Sequence, residues 1–402
     1  MFIARQPIFN RKLDVFGYEL LYRAGEQSTQ FDGMSSTGAT ASVLGGLFEA
    51  GISQIVENKY ALINFDERFI NSDSIELVEP ERLIIEMLED VKVNNNLINR
   101  LTELKEKGYK IALDDFVEDY DNYPLVPLAD IIKFDIIETP LAQIAGSVNT
   151  ALAQNKIILA EKIETQAEFL RAKEMGFHLF QGFFFSKPSI AMKSSHKSTP
   201  KIQYMKLLNE LKEEEPSFQT LAKIVETDVN IAYRLIRIAS RKAEEEVLYS
   251  IKKALVYMGL KEFERWINIL MLQDLGRDKP QELTKISLIR SQMADVIAGQ
   301  IGLKKIRHEA AMMGLFSVVD AMLDMPIEEA LQDIALPDSI INALVNNNGP
   351  LYPIIDLITA YEQGDYVKVQ NIAKQLNLDM GLLYRDYVEA IEWATEAFMV
   401  MD

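Results

Sequence analysis

Along residues 1–190, short apolar runs rich in β-branched and aromatic side chains alternate with polar stretches of helical length, the pattern of an α/β domain. The runs read FIARQPIFN from Phe2, VFGYELLYR from Val15, YALINF from Tyr60, RLIIEML from Arg82, KIALDDF from Lys110, DIIKFDII from Asp130, KIILAE from Lys156 and FHLFQGFFF from Phe177. Taken in order they predict a (β/α)8-like barrel closed by outer helices. The connection Asn10–Asp14 is too short for a crossover helix, so the first two runs form an antiparallel hairpin and the first strand opposes the rest. Two intervening stretches carry helix signals. From Asn94, the residues Leu97, Leu101 and Leu104 share a stripe that stops at Gly108, and QAEFLRAKEM from Gln166 stops at Gly176.

After Lys187-Pro188 the chain turns small and polar, and 191–201 reads as an interdomain linker. From 202 to 402 helical periodicity takes over. Ile231, Leu235 and Ala239 form a stripe; Ser250 caps a helix carrying Ile251, Leu255 and Met258 that ends at Gly259; Leu260, Phe263, Ile267 and Leu270 begin another. Pro337-Asp338 reads as a helix start and Asn346 to Pro350 as a helix stop. The expected organisation is an α/β barrel over 1–190, a linker over 191–201 and an all-helical domain over 202–402.

Composition narrows the chemistry. In 402 residues, 48% hydrophobic and 25% charged content describes a soluble globular chain of at least two domains. No apolar run reaches the ~18 residues of a membrane-spanning helix, and the start MFIARQP lacks a signal peptide's charged and apolar regions, so a cytoplasmic location without a membrane partner is expected. There is no cysteine, and the histidines are only His178, His196 and His308, so any metal must sit on oxygen ligands. A net charge of −18 argues against tracking long nucleic acid, though a small phosphate-bearing ligand remains open if divalent ions mediate the contact.

The polar residues inside the apolar runs are the informative ones. Glu19 interrupts the second run, and Asn64, Glu86, Asp114-Asp115 and Glu161 end later ones, while Lys133 and Asp135 share one face of IIKFD. A single strand-end carboxylate is ordinarily a helix cap or a solvated loop residue. Repetition on successive strands is what points to a site, because the carboxyl ends of parallel barrel strands meet at one rim. Acids gathered there repel one another unless cations compensate them, and an oxygen-rich set suits Mg²⁺, Mn²⁺ or Ca²⁺. The implied chemistry is phosphoester hydrolysis.

With these residues laid out, the first 190 resemble the EAL domain family, bacterial phosphodiesterases that linearise cyclic di-GMP on a modified (β/α)8 barrel. Gln6-Pro7-Ile8 matches the family's QPI, and Gly17-Tyr18-Glu19-Leu20-Leu21-Tyr22-Arg23 stands at G-x-E-A-L-x-R. Asn64 fits the asparagine of the next strand, Glu86 and Glu89 fit E-x-x-E, Asp114-Asp115-Phe116 fits D-D-F, and Lys133-Phe134-Asp135 fits K-x-D. Ala160 to Thr165 fits A-E-G-V-E-T, and Gln181-Gly182-Phe183 with Lys187-Pro188 fits Q-G-[YF] and K-P.

The resemblance implies roles. Glu19, Asn64, Glu86 and Asp114 would ligate one metal, with Asp114 and Asp115 reaching a second. Lys133, Glu161 and Glu164 would be the catalytic set, Lys133 holding the attacking water. Gln6, Arg23, Asp135 and Gln181 would meet the substrate, and Glu89 would brace the loop after Asp115. The cofactors would be Mg²⁺ or Mn²⁺, two ions in the active form, the ligand cyclic di-GMP and the product linear pGpG; a homodimer through the EAL domain is allowed. Leu20, Val117 and Lys162 stand where the family has alanine, glycine and glycine. They leave open a receptor or scaffold that binds without turnover. A third reading, an adaptor in which both domains only bind proteins, also stays open.

The helical half resembles the HDOD domain, a metal-free relative of HD-type phosphohydrolases, through FQTLAKIVETDVNIAYRLIRIAS from Phe218, YSIKKALVYMGLKEFERW from Tyr249 and MMGLFSVVDAMLDMPIEEAL from Met312. With His308 its lone histidine, it cannot supply an HD metal site. It is expected to be a binding or regulatory module for a protein partner whose identity the residues do not give.

Overall fold

The computed structural model describes residues 2–23, 52–65, 70–71, 75–76, 78–88, 91–114, 116, 120, 122–182, 202–242, 250–275, 279–332 and 336–401. The expected linker at 191–201 lies outside them. Packing divides the chain into two compact units, Met1–Ser189 with Asp356–Glu389, and Ile190–Ile355 with Ala390–Asp402.

In the first unit eight strands close into a barrel: β1 (Phe2–Asn10), β2 (Val15–Arg23), β3 (Tyr60–Phe65), β4 (Leu83–Met87), β5 (Lys110–Leu113), β6 (Ile131–Asp135), β7 (Ile157–Glu161) and β8 (Leu179–Phe180). β1 runs antiparallel to both β2 and β8, and every other neighbouring pair is parallel. The tight β1–β2 connection explains the reversal. The Asn10 side-chain oxygen accepts from the Lys12 and Asp14 N–H groups at 2.8 and 3.1 Å, and Leu13 takes a positive φ of 65°. A side chain that replaces backbone partners in this way lets so short a loop reverse.

Among the outer helices, α1 is Ile52–Val56, α2 Asn95–Glu106, α3 Ala145–Ala153 and α4 Gln166–Met175. Asn94 caps α2, which buries Leu97, Leu101 and Leu104, the stripe read from the sequence. Thr165 and Glu168 form a capping box on α4, and Gly176 closes it with φ 102°. The outward strand faces and these helices share one apolar layer that includes Tyr18, Leu20, Ile63, Ile85, Phe134 and Phe180. A separate inner cluster of Ile8, Leu62, Ile84, Ala112, Ile131, Leu159 and Leu179 plugs the barrel.

Expected as part of the helical domain, residues 356–389 pack instead with the barrel's unit. They carry most of α5 (Tyr352–Glu362), all of α6 (Tyr366–Leu376) and the first half of α7 (Met380–Met401). Helical periodicity identified these elements as helices but could not say which core they join. The described residues of the second unit are all-helical, as expected. Ile231, Leu235 and Ala239 are buried, Ser250 caps the helix Ile251–Met258, and Pro337 precedes the helix Asp338–Leu344. Trp266, Met258, Met271, Met312, Met313 and Met322 are buried core, and His308 faces Glu264 at 3.0 Å. No described helix is long and apolar enough to cross a membrane.

Just beyond β8, Gly182 lies against the Ile163 backbone: its φ is 152°, and an added Cβ would stand 2.2 Å from the Ile163 carbonyl oxygen. That neighbour is backbone and cannot rotate away. Gly182→Ala is therefore expected to cost about 1–3 kcal/mol, read as a lower denaturant midpoint. An unchanged midpoint would show that this close approach is loosely held.

Candidate functional site

The inner plug locates the site by counting. Side chains on a strand face the same way every second residue, so one step of two along each parallel strand leads from Leu62 to Asn64, Ile84 to Glu86, Ala112 to Asp114, Ile131 to Lys133, Leu159 to Glu161 and Leu179 to Gln181. Because β1 is reversed, the same step runs backwards from Ile8 to Gln6, which pairs with Glu19 on β2. Each strand thus contributes one polar side chain just above the apolar plug.

These residues meet. The Lys133 Nζ, with no exposed surface, lies 2.5 Å from Asp114 Oδ1, 2.9 Å from both Glu86 Oε1 and Glu161 Oε1, and 3.9 Å from Glu19 Oε2. Gln181 Nε2 donates to Glu19 Oε2 at 2.7 Å and to Gln6 Oε1 at 3.2 Å, and Asn64 Nδ2 approaches Glu19 Oε1 at 3.5 Å. Two amides, Gln181 and Asn64, hold the two oxygens of Glu19 while the lysine holds the other acids.

One ammonium cannot neutralise four carboxylates. Burial pushes the Glu161 carboxyl up to about 8; Lys133 opposes this, but the charges of Asp114 and Glu19 add to it. Burial likewise holds Glu86 well above the carboxylate range, against Lys133 and with Glu19 and Asp114. On Lys133 burial acts to lower the pKa, yet Glu161, Glu19, Glu86 and Asp114 together hold it well above the usual value, so the lysine stays charged.

This donor set fits a hard divalent cation. Glu86 Oε2, Glu161 Oε2 and Gln181 Oε1 are buried without a hydrogen bond, and oxygen donors with surplus negative charge suit Mg²⁺ or Mn²⁺. Among the described residues no three acids or histidines stand close enough to hold an ion as they are, because the acids close on Lys133 instead. Lys133 and a cation would compete for the same oxygens.

Other expected residues fall around this centre. Asp135 lies one step of two beyond Lys133 and is buried; its Oδ1 accepts from the Ile137 and Glu138 N–H groups at 2.8 and 3.2 Å, and its Oδ2 accepts from Lys162. Burial acts to raise its pKa, but Lys162 and these amides outweigh it and hold the carboxyl low. Lys162, with φ 55° where the resembled motif has glycine, directs its ammonium across to Asp135 rather than to Glu161. Glu164 is exposed, and its backbone N–H donates to Glu168 in the cap of α4. Glu89, Asp115 and the Arg23 side chain lie outside the described residues. No member of the ring itself escaped the sequence reading; Gln6 and Gln181, placed by resemblance, carry a direct signal in their two-residue spacing from Ile8 and Leu179. The Lys162–Asp135 pair had none, since the two residues are neighbours only across β6 and β7.

Residues 1–188 match the EAL domain family and residues 198–334 the HDOD domain family. The uncharacterized protein YuxH of Bacillus subtilis is 35% identical, covering 98% of each chain. Cyclic di-GMP phosphodiesterase CdgJ of Vibrio cholerae is 30% identical, covering 98% of this chain and 92% of its own. A calcium/cyclic di-GMP complex of Klebsiella pneumoniae BlrP1 overlaps 47% of this chain and 55% of its own at 22% identity, with a TM-score of 0.40. The chain belongs to the EAL–HDOD family.

The charge imbalance has a measurable pH signature. With Glu161 at about 8 in the folded chain against an ordinary 4.5, the folded state keeps a proton that the unfolded state has lost, so stability falls as pH rises through that window. Metal-free protein is expected to lose Tm across it, and Glu161→Gln to flatten the slope. A wild-type Tm that is flat or rises there would contradict the assigned burial.

Proposed function

We propose, from membership of the EAL–HDOD family as premise, that the barrel hydrolyses cyclic di-GMP to linear pGpG with Mg²⁺ or Mn²⁺, and that the HDOD domain recruits or senses another protein. The observation that carries this reading is the polar ring, one side chain per strand, in which four carboxylates converge on a buried lysine. CdgJ, related along nearly its whole length, carries the name of this activity. Glu19, Asn64, Glu86 and Asp114 are the residues to hold a first cation, and Asp114 with Asp115 to reach a second. When bound, the cations supply Lewis-acid stabilisation of the phosphodiester and lower the pKa of water.

The chain's own groups do the positioning. Gln181 and Asn64 orient Glu19 through its two oxygens. Lys133, at the centre of the acids, would hold water against the phosphorus through its ammonium hydrogens. Glu161, adjacent to Lys133 and with a carboxyl raised by burial to about 8, is placed to exchange a proton with water held at the site. Asp135 and Gln6 are assigned to the substrate. Lys162 leaves Glu161 unencumbered, which favours turnover, yet occupies the Asp135 oxygen Oδ2; that contact favours a second reading, a receptor that binds cyclic di-GMP without cleaving it.

Purified full-length protein with Mn²⁺ is expected to convert cyclic di-GMP to pGpG. Glu19→Ala and Lys133→Ala should each lower kcat by at least about 100-fold. Nucleotide binding with no product after prolonged incubation selects the receptor, and neither binding nor product removes both readings.

A further inference from the structure

The β1–β2 ribbon overhangs the barrel. β2 pairs with β3 only through Gly17, Tyr18 and Glu19, and β1 pairs with β8 only through Phe9 and Asn10. Beyond the rung Gln6–Glu19, the rungs Arg5–Leu20, Ala4–Leu21, Ile3–Tyr22 and Phe2–Arg23 have no third strand among the described residues. A two-stranded ribbon is marginally stable by itself, and this one carries Gln6 and Glu19 at its root. Arg5 provides one tether, donating to the Ile55 carbonyl of α1 at 2.5 Å.

Other support comes from residues 356–389, which lie outside both matched domain families and yet pack in the barrel's unit. Tyr361 of α5 is fully buried, its ring 4.8 Å from that of Tyr387 on α7 and its hydroxyl against the Ile3 backbone. Gly364, in the turn after α5 with φ 74°, lies against Leu21: a Cβ there would stand 2.8 Å from Leu21 Cδ1. Val388 joins the apolar cluster that holds Ile3, Tyr18 and Leu20, and Tyr384 packs on it. Tyr361 and Gly364 therefore address neighbouring rungs of the overhang, Ile3–Tyr22 and Ala4–Leu21. Leu21 is two residues from Glu19 on the same strand face.

We infer that the segment 356–389 is a clasp that fixes the overhanging ribbon and, through Leu21, sets the position of Glu19 in the polar ring, with Tyr361 and Gly364 as positioning residues. The barrel's site is then completed by residues that follow the HDOD domain in the chain. The HDOD domain is inserted between two parts of the unit that holds the site.

The test uses the full-length chain carrying Gly364→Ala, Leu21→Ala or both, and reads amide exchange in β2, Mn²⁺ affinity by calorimetry, and Tm. Gly364→Ala should speed exchange over Leu20–Arg23 and weaken Mn²⁺ binding, each by about 3- to 10-fold, with β6 and β7 exchange unchanged. In the double variant the new methyl occupies space vacated by Leu21. Its Mn²⁺ affinity should return toward wild type although the positive φ keeps Tm low, a separation that a merely stabilising contact would not show. Should Gly364→Ala fail to fold, Tyr361→Phe removes only the hydroxyl at Ile3 and should speed exchange over Phe2–Arg5 in the same direction. Unchanged ribbon exchange, or additive effects confined to Tm, would overturn the clasp. Mn²⁺ binding rests on the phosphodiesterase reading but exchange does not: a wild-type chain that takes up no Mn²⁺ removes that reading, while ribbon exchange still decides the clasp.

Discussion

A single buried ammonium surrounded by four carboxylates is the interaction on which this molecule turns. Lys133 lies between the acids of β2, β4, β5 and β7, in a place with no access to water for its own charge. Burying such a group costs several kcal/mol, and the cost is met only while its partners stay in place. The apolar plug beneath makes that placement rigid, since Glu86, Asp114 and Glu161 each lie two residues from a side chain locked in the barrel interior, and Glu19 is held by Gln181 and Asn64. What the plug cannot do is balance the charge. The excess negative charge is relieved by protons on Glu86 and Glu161, or by cations. This imbalance is what supports the proposal that the site binds cations.

Much of this was legible in the residues. All eight strands appear as apolar runs, and the reversed first strand follows from a connection too short to cross over. The acids stand out because a charged residue inside a strand otherwise apolar has few structural reasons to be there. The ring is readable as arithmetic once the strands are known: inner positions alternate, and the polar member lies one step past the plug. Resemblance to EAL domains added names for the roles, and the positions of Gln6 and Gln181.

What was not legible depends on contacts between residues far apart in the chain. Periodicity marked residues 352–401 as helical without revealing that 356–389 join the barrel's unit, because an amphipathic stripe says only that a helix is covered, not by which core. The contact of Gly364 with Leu21 has the same character: a glycine after a helix reads as an ordinary stop signal. Lys162 reads from sequence as a cation beside Glu161, whereas its positive φ sends the side chain across to Asp135. Backbone conformation decided that outcome, and residue order does not encode it locally.

The carboxylates around Lys133 are proposed to form a cation site. Anomalous X-ray diffraction from crystals of the full-length protein grown with Mn²⁺ tests it most directly. The expected result is Mn²⁺ density bounded by Glu19, Asn64, Glu86 and Asp114, with the Lys133 ammonium withdrawn from at least one of its present partners. Manganese bound elsewhere, with Lys133 still closed on Glu86, Asp114 and Glu161, would contradict the account.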